Sequence, residues 1–189
     1  GGFAFWGATK ATYVKLPDSV TTLGYRIAKN PGDSIKTIEI GSKVQTIDKP
    51  FSQRYDLTLK ISNDNPYFMV ENNILYSKNK DTIYAVLYRI QGEFKMSKGV
   101  KIIKSLCFDS QKQMTKLILN DEIEKIEDQA FVWCNITELN IPSSIKTMGS
   151  RALYGATQLS KVTINKKEGE IAGAPWGLPS AERGIIYAG

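Results

Sequence analysis

The sequence has 189 residues, 42% hydrophobic and 23% charged, with a formal net charge of +6 at pH 7, which is globular rather than disordered composition. Histidine is missing and only Cys107 and Cys134 are cysteines, which excludes histidine-dependent catalysis and argues against a zinc site or other cofactor. Lysine and arginine are scattered among acidic residues, and no apolar run approaches the ~20 residues of a membrane span, so we expect neither nucleic-acid binding nor a transmembrane segment.

The first residues contain a short motif that returns near the end of the chain. Ala4–Thr9 reads AFWGAT and Ala152–Thr157 reads ALYGAT, which indicates an internal repeat. No charged start followed by an apolar stretch is visible, so the sequence shows no recognisable signal peptide. We therefore expect either that a targeting segment was removed or that this is a piece of a longer protein.

The repeat itself is clearest in residues 138–156, which read ELNIPSSIKTMGSRALYGA. An apolar-polar-apolar strand ends on an anchor residue, apolar residues follow four and seven positions later, and a small-bulky pair closes the unit. The anchors of the matching segments are Leu16, Ile40, Met96, Leu119, Ile141 and Ile164. Another copy fits at residues 57–61, around Leu59 and Ile61.

This period of about 23 residues predicts a mostly β repeat protein, a right-handed leucine-rich-repeat solenoid of roughly seven coils in one domain, 1–189. Alternation within each strand sends one side chain inward and the next outward. A proline after the strand ends the ladder because it has no N–H to donate. The alternative is a β-sandwich with accidental periodicity.

Residues 62–92 interrupt the period and predict an inserted β-hairpin of two or three strands. The strands are expected at residues 67–70, 74–76 and 83–88, with turns at 71–73 and 78–81. A structural role is the main interpretation. The alternative is a binding role for its tyrosines, which are Tyr67, Tyr76, Tyr84 and Tyr88.

Further along the chain, Cys107 and Cys134 fall at different points of neighbouring coils, so we expect both to be buried free thiols. The acidic stretch 121–128 contains two repeat positions, Ile123 and Ile126. We therefore expect its carboxylates to form a solvated rim rather than a glycosidase pair or a calcium loop.

The last segment, residues 166–189, is rich in glycine and proline and is predicted to be a capping tail that closes on a short strand. In this interpretation Trp176 folds over the open end of the last coil. The alternative is that Trp176 offers a platform on which a glycan stacks.

The strings LNIPSSIKTMGSRAL, LPDSVTTLG and IEKIEDQAFVWC resemble BspA-like, or Treponema pallidum-type, leucine-rich repeats. The likeness covers most of the chain, because the Ile-Pro, Ile-Gly and Ala-Phe elements fall in register, although PFSQRY departs from the pattern. It implies a bacterial cell-surface or secreted protein that adheres to host proteins or other cells.

The outward residues of the strands form the candidate site, which we call the strand face. Its members are Tyr13, Lys15, Glu39, Lys60, Lys95, Lys116, Ile118, Glu138, Asn140 and Lys161, with Thr37, Thr58, Glu93 and Thr163 between them. We expect a non-catalytic binding or adhesion module that recognises a protein or glycan, such as a host extracellular protein, through this face. The alternative is a structural spacer with no ligand of its own.

Overall fold

A computed structural model describes residues 5, 10–27, 34–49, 51, 53–178 and 184–189. The chain divides into two compact units, Gly1–Tyr88 and Arg89–Gly189, and the single domain 1–189 stays a prediction. The described residues contain strands and turns but no helix, and so no helix among them has the length and apolar character that crossing a bilayer requires. The predicted hexapeptide of residues 4–9 lies outside the described residues except for Phe5, and the repeat position Ala28 also lies outside them.

The first unit is built from short parallel strands that recur once per coil. Its strands are β1 (Tyr13–Lys15), β2 (Thr22–Leu23), β3 (Thr37–Ile40), β4 (Thr46–Ile47), β5 (Thr58–Ile61), β6 (Phe68–Glu71), β7 (Ile74–Ser77) and β8 (Thr82–Val86). Strands β1, β3 and β5 form one parallel sheet, and β2 and β4 form another. In the first sheet Val14 pairs with Ile38 and Ile38 with Leu59, which confirms the predicted alignment of the repeats.

The core of the first unit consists of the residues that the repeat predicts to point inward. Ile38, Ile40 and Val44 are fully buried, because alternation along each strand sends every second side chain between the two sheets. Leu16, Leu23 and Leu59 join the same cluster. One repeat cannot cover its own apolar edge, and stacking of neighbouring coils provides the cover.

The insertion forms a three-stranded antiparallel sheet, in which β7 pairs with both β6 and β8. These strands agree closely with the predicted ones. The tight turn between β6 and β7 places Asn72 and Asn73 at φ 50° and 57°, a backbone that asparagine tolerates and that suits two-residue hairpins. Tyr76 is buried and Tyr84 packs edge-on against Phe68, so these two tyrosines serve packing rather than binding.

The second unit repeats the same construction. Its strands are β9 (Gly92–Lys95), β10 (Ile102–Ile103), β11 (Met114–Ile118), β12 (Lys125–Ile126), β13 (Glu138–Ile141), β14 (Thr147–Met148), β15 (Lys161–Ile164) and β16 (Gly184–Tyr187). Strand β9 pairs with β11, β13 with β15, and β15 with β16, all in parallel. The opposite wall consists of β10, β12 and β14.

The closing turns of the second unit are joined by backbone hydrogen bonds from coil to coil. Phe108 N donates to Ala130 O, Phe131 N to Ala152 O, and Leu153 N to Trp176 O, at 3.0, 2.9 and 2.9 Å. The predicted small-bulky pairs therefore stack on one another. Trp176 takes the place of the small residue in one further coil, because it accepts from Leu153 N as Ala130 and Ala152 accept from Phe108 N and Phe131 N.

This placement concerns residues 166–189, for which the sequence predicts a capping tail that closes on a short strand. Trp176 is fully buried, and β16 continues the parallel sheet with Val162 opposite Ile185 and Ile164 opposite Tyr187. Trp176 and β16 therefore extend the closing turns and the parallel sheet of the second unit by one position each.

Cys107 and Cys134 are both free and buried, as predicted. The Cys134 thiol donates to Phe108 O at 2.8 Å. Burial raises the pKa of Cys134 to about 12 and raises that of Cys107 well above its ordinary value, with a further contribution from Cys134. Neither thiol is therefore suited to nucleophilic chemistry.

Candidate functional site

The strand face of the first unit brings together three of the predicted site residues. Tyr13 donates a hydrogen bond to one carboxylate oxygen of Glu39, and Lys15 Nζ lies 3.0 Å from the other. The hydrogen bonds from Tyr13 and then Lys15 lower the pKa of Glu39. These three side chains therefore bind one another. Lys60 is the other predicted basic residue of this face, and its exposed side chain can offer its charge to a ligand.

The strand face of the second unit carries the remaining predicted residues. Lys95, Lys116, Glu138, Asn140 and Lys161 are exposed and Ile118 is half-buried, in keeping with the predicted alternation of the strands. Lys116 is neutralised by an ion pair with Glu93 at 2.8 Å. Because β11 and β13 are neighbours, the outward residues of β11, β13 and β15 form one surface.

A groove of about 520 Å³ opens in this surface. Five predicted site residues line it, namely Lys116, Ile118, Glu138, Asn140 and Lys161. Leu119 and Pro142 contribute to its apolar lining, and Thr163 and Asp121 are among its polar residues. The groove therefore combines an apolar base with charged and hydrogen-bonding groups, which is the usual composition of a ligand site.

The groove exists because the sheet is interrupted between β11 and β13, which belong to separate sheets. Two backbone hydrogen bonds join the approaches to these strands, from Asn135 N to Gln111 O and from Thr137 N to Thr115 O. Within the range 89–178, which is fully described, no ladder joins the strands themselves. Strand β11 also carries a register shift between Met114 and Lys116.

Pro142 gives the physical reason for the interruption. At the equivalent position of other coils, Ser62 N donates to Ile40 O and Asn165 N donates to Ile141 O, each at 3.0 Å. Proline has no N–H, so Pro142 cannot make the corresponding bond to the carbonyl of Leu119. The two strands therefore lack hydrogen bonds to each other at the end where Leu119 and Pro142 line the groove.

The anchor Leu119 differs from the other anchors of the second unit. Leu119 is half-buried and lines the groove, whereas the neighbouring anchors Met96, Ile141 and Ile164 are buried. The sequence offered two signals for this departure. The spacing from Leu119 to Ile141 is 22 residues rather than 23, and a proline follows Ile141 directly.

Charges of both signs remain available around the groove. Within the described part of the second unit, Glu138, Lys161 and Asp121 have no ion pair or side-chain hydrogen bond. By contrast, Glu124 and Asp128 beyond the groove pair with Lys146 and Arg151 of the next coil. The predicted acidic rim at 121–128 thus consists mainly of groups that tie neighbouring coils together.

A second groove, of about 510 Å³, lies in the first unit between β5 and β6. Lys60, Ile61 and Met69 are among the residues that line it. Of the predicted site residues only Lys60 belongs to it, so the sequence-based selection agrees less well with this groove than with the one in the second unit.

The alternative role of Trp176 as a glycan platform does not hold. Its indole is fully buried and Nε1 donates to Ala172 O at 2.9 Å. A buried ring has no free face on which a sugar could stack. No three of the histidine, cysteine, aspartate and glutamate side chains that the structure describes are grouped as metal ligands would be.

Comparison with known proteins assigns the chain to one family. The family model described as "BspA type Leucine rich repeat region" matches residues 1–85 and 87–173 with six copies. Among curated proteins, no sequence matches significantly.

Among solved structures, a leucine-rich repeat protein from Eubacterium ventriosum is 24% identical, with a TM-score of 0.65 over 81% of this chain and 42% of that one. The pneumococcal vaccine antigen PcpA is 20% identical, with a TM-score of 0.60 over 82% of this chain and 51% of that one. A leucine-rich cell surface protein from Faecalibacterium prausnitzii is 15% identical, with a TM-score of 0.48 over 82% of this chain and 48% of that one. The chain thus spans about half the length of these proteins or less, and the likeness concerns the fold.

Proposed function

Because this chain belongs to the BspA-type leucine-rich repeat family, we propose that it is a non-catalytic binding module that recognises a protein or glycan through its strand face. The observation that carries the proposal is the groove between β11 and β13. Five of the residues selected from the sequence as a binding surface line this one concavity.

The groove is suited to an extended segment that carries both apolar and polar groups. Ile118, Leu119 and Pro142 offer an apolar base whose coverage by a ligand is favourable. Lys161 and Glu138 lie on adjacent strands at paired positions, so they can contact groups of opposite sign on one ligand. Charge complementarity of this kind contributes specificity and association rate more than affinity.

The experiment compares ligand binding before and after a charged side chain is introduced into the groove by substitution. The unchanged chain and the variant Ile118→Glu are tested against a panel of purified host extracellular proteins, glycans and intact host cells. We expect at least a ten-fold loss of binding in the variant, because the carboxylate must be desolvated at the apolar base. Lys95 lies directly opposite position 118, so the added carboxylate has a partner and folding is preserved.

Thr46→Glu is the matched control, because Thr46 is an exposed residue of β4, outside the strand face, that lines neither groove. It should bind as the unchanged chain does. Equal binding by the unchanged chain and by the Ile118→Glu variant would show that the ligand does not bind in the groove. If the unchanged chain binds nothing in the panel, the spacer alternative is favoured.

We further propose that the protein acts at the bacterial cell surface or after secretion. The support is the family, together with the descriptions of a relative as a cell surface protein and of another as a vaccine antigen. Antibodies raised against the chain should label intact cells or the culture supernatant of the source organism. Labelling that requires permeabilised cells would contradict this location.

A further inference from the structure

Two exposed aromatic rings lie side by side in the closing turns of the second unit. Trp133, between β12 and β13, is 42% exposed, and Tyr154, one coil further on, is 47% exposed. Their ring centroids are 5.5 Å apart and the planes meet at 80°. Neither ring lines the groove of the strand face. The two rings form a corner of aromatic surface that the proposed function does not use.

Trp133 is held in a backbone conformation that bulky residues rarely adopt. Its φ is 57°, and the glycine at the equivalent position of the next coil, Gly155, has a φ of 73°. The indole lies directly on Gly155, where an added Cβ would be 2.5 Å from the ring atom Cε3. Trp133 N also donates to Tyr154 O at 3.0 Å.

Glycine is the residue that normally occupies such a position without strain. Ser110 holds the equivalent place in the preceding coil with a φ of 56°, so the backbone of this turn does not require an exposed indole. Because Gly155 and Tyr154 restrict the indole, little conformational entropy remains to be lost when a ligand contacts it.

The exposed area of the two rings limits the size of the ligand that they can bind. An aromatic side chain contributes about 150–250 Å², so rings that are 42% and 47% exposed present on the order of 200 Å² together. A stable protein interface needs about 800 Å² on each partner. The corner is therefore too small for a protein partner by itself and matches one or two sugar rings.

We propose that Trp133 and Tyr154 form a carbohydrate-binding platform for a neutral hexopyranose of a glycan. The C–H groups on one face of a pyranose carry partial positive charge and stack on the negative face of an aromatic ring. Lys112 Nζ lies 5.6 Å from the centre of the indole. Because this ammonium lies over the ring, a sugar that stacks on that face displaces it, and the displaced ammonium can donate a hydrogen bond to a hydroxyl group at the rim of the sugar.

The test is a glycan array in multivalent display, because a single stacked sugar binds weakly and multivalency raises the apparent affinity. The probes are oligosaccharides that end in galactose, glucose or mannose, with sialylated counterparts alongside. We expect the unchanged chain to bind neutral hexose-terminated probes. Trp133→Gly should lower this binding at least ten-fold without lowering the melting temperature, since glycine adopts a positive φ readily.

Tyr67→Ala removes an aromatic side chain of the same exposure, 47%, from the first unit, and it should bind the array as the unchanged chain does. If Trp133→Gly unfolds, Tyr154→Ala is judged by the same criteria.

Any of three results on the array would overturn the proposal. They are an array on which the unchanged chain binds no glycan, equal binding by the chain and its Trp133→Gly variant, and binding of sialylated probes alone. A protein ligand lost on Trp133→Gly without any glycan binding would also assign the corner to a different partner and overturn the proposal.

Discussion

A buried asparagine, Asn65, connects neighbouring coils of the first unit through its side chain. Its Nδ2 donates to Gly41 O and Val44 O at 3.0 and 2.9 Å. Its Oδ1 accepts from the backbone N–H groups of Tyr67 and Phe68, both at 2.8 Å. In the second unit Asn120 makes the same kind of bridge, to Ser97 O and Val100 O. The coils are therefore joined by side-chain amides as well as by strands.

We predict that Asn65→Leu lowers the free energy of unfolding by about 3 kcal/mol, because several buried backbone groups lose their partner at about 1–3 kcal/mol each. Chemical denaturation followed by circular dichroism measures the change. Asn63→Ala, at an exposed position two residues earlier, should remain within about 0.5 kcal/mol of the unchanged chain. Equal stability of the two variants would contradict the role assigned to Asn65.

The two thiols lead to a second prediction at the residue scale. Burial keeps Cys107 and Cys134 protonated at neutral pH, so a disulfide reagent such as DTNB should react with the native protein only as fast as it unfolds. Both thiols should react within seconds in denaturant. Rapid stoichiometric labelling of the native chain at pH 8 would show that at least one thiol is accessible.

At the scale of elements, a single imino acid decides whether two neighbouring strands form a ladder. We predict that Pro142→Ser restores the missing hydrogen bond to Leu119 O, as Ser62 makes it to Ile40 O in the first unit. The gain of about 0.5–1.5 kcal/mol from the bond is largely offset by the greater freedom of the unfolded chain, which costs about 0.4–1 kcal/mol. The free energy of unfolding should therefore change little.

Hydrogen exchange measured by NMR provides the readout for this variant. The new amide at position 142 should be protected to the same degree as that of Asn165, and ligand binding in the groove should weaken as the strands close. An unprotected amide at position 142 would mean that the interruption has another cause.

At the scale of the whole molecule, carboxylates that bridge neighbouring coils make stability depend on pH. Burial works to raise the pKa of Glu127, but the hydrogen bond and charge of Lys104, the Ser105 N–H and the charge of Lys125 outweigh it, and the pKa is lowered. The pKa of Glu124 is lowered chiefly by its hydrogen bond with Lys146. The folded state therefore holds fewer protons than the unfolded state in mildly acidic solution.

A lowered folded-state pKa stabilises the protein above the unfolded value and loses this effect as the pH falls. We predict that the melting temperature falls by several degrees between about pH 5 and pH 3, where glutamate protonates in the unfolded chain. Glu127→Gln should flatten this dependence. A melting temperature that is constant over the same interval would exclude these bridges as contributors to stability.

Much of each unit could be predicted from the sequence because its repeat is local and periodic. The alternation of apolar residues identified the paired positions, for example Leu139 opposite Val162. It also identified the outward residues of the strand face. The insertion was predictable for the same reason, since the asparagines at 72 and 73 mark its tight turn.

The sequence by itself determined the period, the register of the strands and the side of each strand that is buried, because these follow from contacts between equivalent positions of adjacent coils. Only the tertiary structure decided where the sheet opens and which tryptophan is exposed. Trp133 and Trp176 are the same residue type in similar turns, yet one lies outside and the other fills the core. Burial depends on how each turn stacks on its neighbour, which no single repeat encodes.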